Sequence, residues 1–230
     1  MAENPRQNVT FASNGDRAHG YLALPKNGSG PGLIVIQEWW GLTSHIAEVT
    51  DRFATAGFVS LAPDLYGGST THNADEAGKL MQELPVDQAC RDLAGAVDYL
   101  LARDDVSGDR VGLVGFCMGG AFVLTLAVQE GGKVAAAVPF YPVGPMPEDY
   151  AGLQAAVLVH VAEQDAFVPA SAAGELSAKI AAGTGHEPEI ERYPAGHAFL
   201  NDENLLGTHD ADQAKKAWDR TVEFLHAHLG

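Results

Sequence analysis

Cysteine is scarce in this chain, with only Cys90 and Cys117 among 230 residues. Their local sequences are unlike, so a disulfide framework is excluded and each needs its own explanation. Basic residues are few as well: 14 Lys and Arg stand against 30 Asp and Glu, a formal net charge of −16. Such a surface repels phosphate backbones and anionic lipid, so neither nucleic acid nor a membrane is an expected partner. No apolar run approaches the length of a bilayer span. The opening Met1-Ala2-Glu3-Asn4-Pro5-Arg6 lacks the apolar stretch of a signal peptide, which makes a cytoplasmic location the default expectation. Repeats, low-complexity tracts and an interdomain linker are also missing, and no His/Asp/Glu spacing resembles a metal site.

What remains is an ordinary globular composition, 46% hydrophobic and 19% charged, in a length suited to one domain over residues 1–230. Val9–Ala12 and Gly20–Leu24 bracket Asn14-Gly15, a strong hairpin turn signal. Gly32–Ile36 and Phe58–Ala62 are continuous apolar runs, as expected of strands buried on both faces. Between them, Ile46, Val49 and Phe53 recur at helical spacing over Thr43–Ala56, with Gly57 where a C-cap would stand. Helices are predicted over Ala74–Leu84, Val86–Ala102, the segment after Cys117, Ala170–Ala182 and Asp210–His228. Further strands are predicted at Val111–Gly115, Val134–Phe140, Ala156–Val161 and Glu189–Tyr193. Alternating strands and helices imply a mainly parallel sheet covered on both faces.

The chemistry concentrates at Gly115-Phe116-Cys117-Met118-Gly119-Gly120. A Gly-x-Cys-x-Gly between a buried strand and an apolar helix is the context of a nucleophile elbow, in which small flanking residues let strand and helix approach closely. A thiol preceding a helix N-terminus is expected to gain thiolate character from free N–H groups and the helix dipole. Spacing and the lack of a nearby Lys argue against a phosphate cradle.

In this context an acid and then a histidine should follow, each just after a later strand. Asp165 follows Val157–Val161, and His197 follows Glu189–Tyr193. Taken singly, Asp165 reads equally well as a turn or cap residue and His197 as a loop residue. Their order and placement together point to a base and its orienting acid. His160 is expected to point into the packing. His45, His209, His226 and His228 fall on or beside helices with no nucleophile nearby, while His19, His72 and His186 read as loop or strand-edge residues.

Gln37-Glu38, Pro63-Asp64-Leu65-Tyr66, the Cys117 elbow, Gln164-Asp165 and Gly196-His197 together resemble the dienelactone hydrolase family over nearly the whole chain. The resemblance implies an α/β-hydrolase fold with an eight-stranded, mostly parallel sheet, no cofactor, and a Cys117-Asp165-His197 triad acting on a small-molecule ester or lactone in a monomer or homodimer. It also implies an oxyanion hole from the backbone N–H groups of Trp39 and Met118, a Glu38 carboxylate beside the resting thiol, and Tyr141 in the pocket.

One departure stands out. The resemblance calls for two arginines that hold a substrate carboxylate, yet no arginine occurs between Arg52 and Arg91, and Asn201 occupies the position expected for the second. A guanidinium fork matches a carboxylate in a way that an amide does not. A neutral substrate is therefore expected, with Trp39, Trp40, Phe167 and Phe199 as apolar walls, and Glu38 is expected to lack its arginine partner. A non-catalytic electrophile binder or thiol sensor on the same scaffold is the competing reading, and Cys90 is expected to be structural.

Overall fold

Alternation of apolar side chains between two cores explains why the strand sequences are hydrophobic throughout. In β3 (Gly30–Ile36) Leu33 and Val35 enter one core while Ile34 and Ile36 enter the other. The computed structural model describes residues 6–230; the Met1–Pro5 part of the N-terminal reading lies outside them. The remaining strands are β1 (Val9–Ser13), β2 (Asp16–Ala23), β4 (Val59–Pro63), β5 (Val106–Phe116), β6 (Val134–Phe140), β7 (Ala156–Ala162) and β8 (Glu189–Tyr193). All join one eight-stranded sheet in the order β1-β2-β4-β3-β5-β6-β7-β8. Pairing is antiparallel for β1–β2 and β2–β4 and parallel from β4 to β8.

Helices cover both faces. One core takes side chains from α3 (Val86–Leu101), α4 (Met118–Glu130) and α5 (Ala172–Thr184). The other takes them from α1 (Ser44–Thr55) and α6 (Ala211–Leu229). The short α2 (Ala74–Glu83) buries only Ala77 among its own residues, and its N-terminus is capped by Asn73, whose side chain accepts from the N–H groups of Asp75 and Glu76. No helix among the described residues is long and apolar enough to cross a membrane.

Boundaries differ most from the sequence reading at β2, β5 and α5. β2 begins at Asp16, since Asn14 and Gly15 alone make the turn with φ of 42° and 91°; Leu24, assigned to this strand, lies beyond it and is exposed. β5 starts at Val106, five residues before the apolar run, because its polar first half pairs with Gly30 and Pro31 ahead of a register shift. α5 runs from Ala172 to Thr184 instead of Ala170–Ala182. Ser171 occupies its N-cap, and Gly185, left-handed at φ 78°, ends it.

The parallel strands point their carboxyl ends the same way. The residues after β3, β5, β6, β7 and β8 therefore gather along one edge, which is where ligands bind in open α/β sheets.

Candidate active site

The turn at Cys117 is built by steric necessity. A Cβ on Gly115 would lie 2.3 Å from the Gly119 carbonyl oxygen, and one on Gly119 would lie 2.5 Å from the carbonyl oxygens of Ile36 and Gln37. Only glycine allows β5, α4 and the end of β3 to meet this closely. Cys117 itself takes φ 55° and ψ −117°, a conformation costing about 1–3 kcal/mol for a residue with a side chain. Surrounding bonds hold it: Cys117 N–H donates to Phe140 O at 3.1 Å, and Cys117 O accepts from Gly120 N–H at 3.0 Å and Val143 N–H at 3.1 Å. The last of these ties the Tyr141–Pro147 strap to the elbow.

His197 and Asp165 meet as expected. His197 Nδ1 lies 2.7 Å from Asp165 Oδ2, and both side chains are almost fully buried. Burial works to raise the Asp165 pKa. The His197 hydrogen bond and charge, aided by N–H groups of Phe167 and Val168 at 2.7 and 3.0 Å, outweigh it and hold the carboxyl below its usual range. The second ring nitrogen, Nε2, makes no hydrogen bond among the described residues, so it is free to act on a reacting group.

The sulfur corrects two expectations. No hydrogen bond joins Cys117 to His197 among the described residues, so the three groups do not form one continuous line at rest. Nor is the thiol acidified. Burial pushes its pKa up, and the carboxylates of Glu38 and Asp165 push in the same direction, against a single favourable contact from the Met118 N–H. The helix terminus does help the thiolate, but in a site that leaves the side chain 7% exposed between two carboxylates it loses to desolvation and like charge.

Glu38 is the other buried acid, 2% exposed. Desolvation raises its pKa, partly offset by His45, by the Asn201 hydrogen bond and by His197, with Glu203 acting to raise it. The absent arginine is replaced by an amide: Asn201 Nδ2 donates to Glu38 Oε2 at 2.6 Å. Asn201 is thus a buried partner of Glu38. The buried Tyr141 hydroxyl lies beside the Glu38 carboxylate, which, after burial itself, helps hold the phenol protonated.

A dienelactone hydrolase family model matches residues 18–229. The chain belongs to that family. "Protein usf" of Aquifex pyrophilus is 37% identical over 231 residues, covering 97% of this chain and 99% of the relative. The carboxymethylenebutenolidase of Pseudomonas putida is 28% identical over 222 residues, covering 89% of each chain. Among solved structures, a dienelactone hydrolase-like promiscuous phosphotriesterase from metagenomic libraries superposes with a TM-score of 0.83 at 26% identity, covering 98% of both chains. This dienelactone hydrolase relative is therefore a carboxylic ester or lactone hydrolase on the α/β-hydrolase fold.

Among the aromatic residues expected to wall the pocket of this family member, the structure separates two groups. Phe167 is 53% exposed, with its ring 4.9 Å from that of His197 and 6.3 Å from that of half-buried Trp39. Those two present surface at the site. Phe199 is fully buried against Tyr141 and Tyr193, and Trp40 is buried beneath Trp39, so both are packing residues. A cavity of about 180 Å³ opens beside Asp165 between β7 and α5, bordered by Tyr141, Val161, Val168, Leu176 and Arg192. A more open groove runs along α4 from Met118, and Met146 borders both. Cys117 lines neither.

The sequence reading gave three residues no role at the site. Arg192 was read only as part of a strand, although it borders the cavity beside Asp165. Tyr66, half-buried, donates from its hydroxyl to the Met118 sulfur at 3.5 Å, and the Cys117 charge adds to burial in keeping it protonated. His45, set aside as a helix residue, is 3% exposed and faces Glu38. No cluster of His, Cys, Asp or Glu among the described residues could hold a metal ion.

Proposed function

We propose that this protein cleaves a neutral carboxylic ester or lactone through a Cys117 nucleophile, with His197 and Asp165 as base and orienting acid and a thioester acyl-enzyme as intermediate. The observation that carries the reading is the buried His197–Asp165 pair, its imidazole left with a free nitrogen at the same sheet edge as a strained Cys117. A binder or thiol sensor has no use for that pair.

In the resting state the neutral thiol lies against the Met118 N–H and beside Glu38. Glu38 accepts the thiol proton when substrate enters, and the thiolate attacks the carbonyl carbon. The resulting oxyanion takes the N–H of Met118 once the sulfur has left it. It also takes the N–H of Trp39, which has no acceptor among the described residues. Each such donor supplies about 3 kcal/mol to the transition state. The proton taken by Glu38 passes through His197 to the leaving oxygen; His197 then draws a proton from the water that resolves the thioester and hands it to the departing Cys117 sulfur.

Charge supports a neutral substrate. Glu38 is held by an amide, and the one guanidinium bordering the cavity, Arg192, shares that border with Glu163. A panel pairing a neutral with an anionic lactone tests this reading, with kcat/KM expected to favour the neutral member at least tenfold; a preference for the anion overturns it. Cys117→Ser should abolish nearly all turnover and acyl-enzyme accumulation by mass spectrometry, and unchanged turnover would reject the nucleophile.

A further inference from the structure

The groove along α4 has a volume of about 320 Å³ and an almost wholly apolar lining. Met118, Phe122, Thr125 and Gln129 recur at helical spacing on one face of α4, and the strap supplies Val143 and Met146. Val86, the first residue of α3, borders it as well and is 47% exposed, a branched apolar side chain left facing water. No charged residue lines the groove, although the chain as a whole carries a net charge of −16. The Thr125 hydroxyl is satisfied within the helix, donating to Ala121 O at 3.2 Å. A concave surface of this size and character suits the hydrocarbon part of a small molecule.

The groove begins at the reacting centre. Met118 follows Cys117 directly and its N–H contacts the thiol, while the Val143 N–H donates to Cys117 O at 3.1 Å. Two of the groove's walls are thus tied to the elbow. None of its borders comes from the acid loop after β7 or the histidine loop after β8; Asp165 borders the smaller cavity instead. That division orients an ester. Its leaving oxygen must come within reach of His197, so the half that stays on sulfur points away from the histidine loop and toward the Met118 end of the groove. From Met118 to Gln129 α4 rises about 16 Å, enough to lie along a chain of several methylenes.

We propose that the groove along α4 is the acyl subsite, and that the substrate is a neutral ester or lactone whose acyl side carries an unbranched alkyl chain of medium length. The proposal rests on the hydrolase reading above for the chemistry at Cys117, and on the lining of the groove for the chain. Each methylene laid against Phe122, Val143 or Met146 leaves water, and the gain accumulates with chain length. A charged acyl group finds no partner there and loses its hydration.

The test compares kcat/KM in wild type, Thr125→Trp and Val86→Glu. p-Nitrophenyl acetate and octanoate vary the acyl half, and ethyl and octyl acetate vary the alcohol half. Wild type should favour octanoate over acetate by about thirtyfold. Thr125→Trp sets an indole into the groove from a half-buried position outside the catalytic machinery. It should cut that ratio by about tenfold, with turnover of the acetate within about twofold of wild type. Val86→Glu places a carboxylate beside the chain at a position where the N-terminus of α3 tolerates it, and should lower the ratio by about threefold. It is the deciding variant if Thr125→Trp does not fold. A wild-type ratio near one, a ratio that neither variant moves, or a gain with chain length on the alcohol half in place of the acyl half overturns the proposal. If wild type hydrolyses no ester, the hydrolase reading fails, and titration with octanamide judges the groove by itself. Backbone amide NMR shifts centred on Thr125 and Val143 then keep it as an alkyl-chain site, and their absence removes it.

Discussion

His160 lies in β7 and His197 in the loop after the neighbouring β8, and they are 0% and 3% exposed, yet their partners make them opposites. His160 is held at both nitrogens by hydroxyls: Tyr193 Oη lies 2.9 Å from Nδ1 and Thr221 Oγ1 lies 2.8 Å from Nε2. Thr221 already donates to Ala217 O, so it accepts from Nε2–H, and Nδ1 accepts from the phenol. Every polar atom is satisfied by a neutral ring. Burial, aided by the charge of Arg220, pushes this pKa down to about 3. His197 has a carboxylate at one nitrogen and, among the described residues, no hydrogen bond at the other. Burial alone thus decides little about a histidine. A carboxylate and a vacant nitrogen equip it for proton transfer, while two hydroxyls lock it as a neutral brace.

The comparison is sharpest in substitutions. His197→Gln should lower kcat on a neutral aryl ester by roughly 10³–10⁴-fold, with a thermal midpoint within a few degrees of wild type by calorimetry. His160→Leu should do the reverse. Stranding the Tyr193 and Thr221 hydroxyls should cost about 2–4 kcal/mol in urea unfolding, while activity per folded molecule is retained. If the two phenotypes coincide, the division of roles fails.

Acid separates the pair more gently. The folded-state pKa of His160 lies below the 6.5 of a free imidazole, so the unfolded chain takes up the proton first. The stabilisation from its neutral form is complete above pH 6.5 and drains away as pH falls toward 3. Wild type should therefore lose about 2 kcal/mol from this group between pH 7 and pH 5, and His160→Leu should lack that part of the slope. Equal slopes would show that His160 is not held neutral. The smallest effect is expected at the rim: Phe167→Ala, removing the exposed ring beside His197, should raise KM by about three-fold with kcat within two-fold, in line with loss of part of an apolar contact.

The order of Cys117, Asp165 and His197 and the glycines of the elbow were legible because each obeys a local rule: a strand end, a tight turn, a close backbone approach. The state of the thiol was not. It depends on desolvation and on carboxylates that arrive from two other loops, and neither leaves a mark on the ten residues around Cys117. The same holds for His45, whose partner is 157 positions away in the chain. Aromatic residues misled for a related reason. Phe167 and Phe199 look alike in sequence near the expected site, yet one projects from a loop and the other fills the core behind Tyr141.

The margin of the sheet formed by β8 carries a further consequence. Glu189, Glu191 and Arg192 occupy three of its five positions, and Arg220 from α6 pairs with both glutamates. A strand from another molecule seeking to extend the sheet there would have to strip water from these charges, at a cost that new backbone bonds would not offset. The outermost strand on this side of the sheet is in this way a poor template for edge-to-edge pairing.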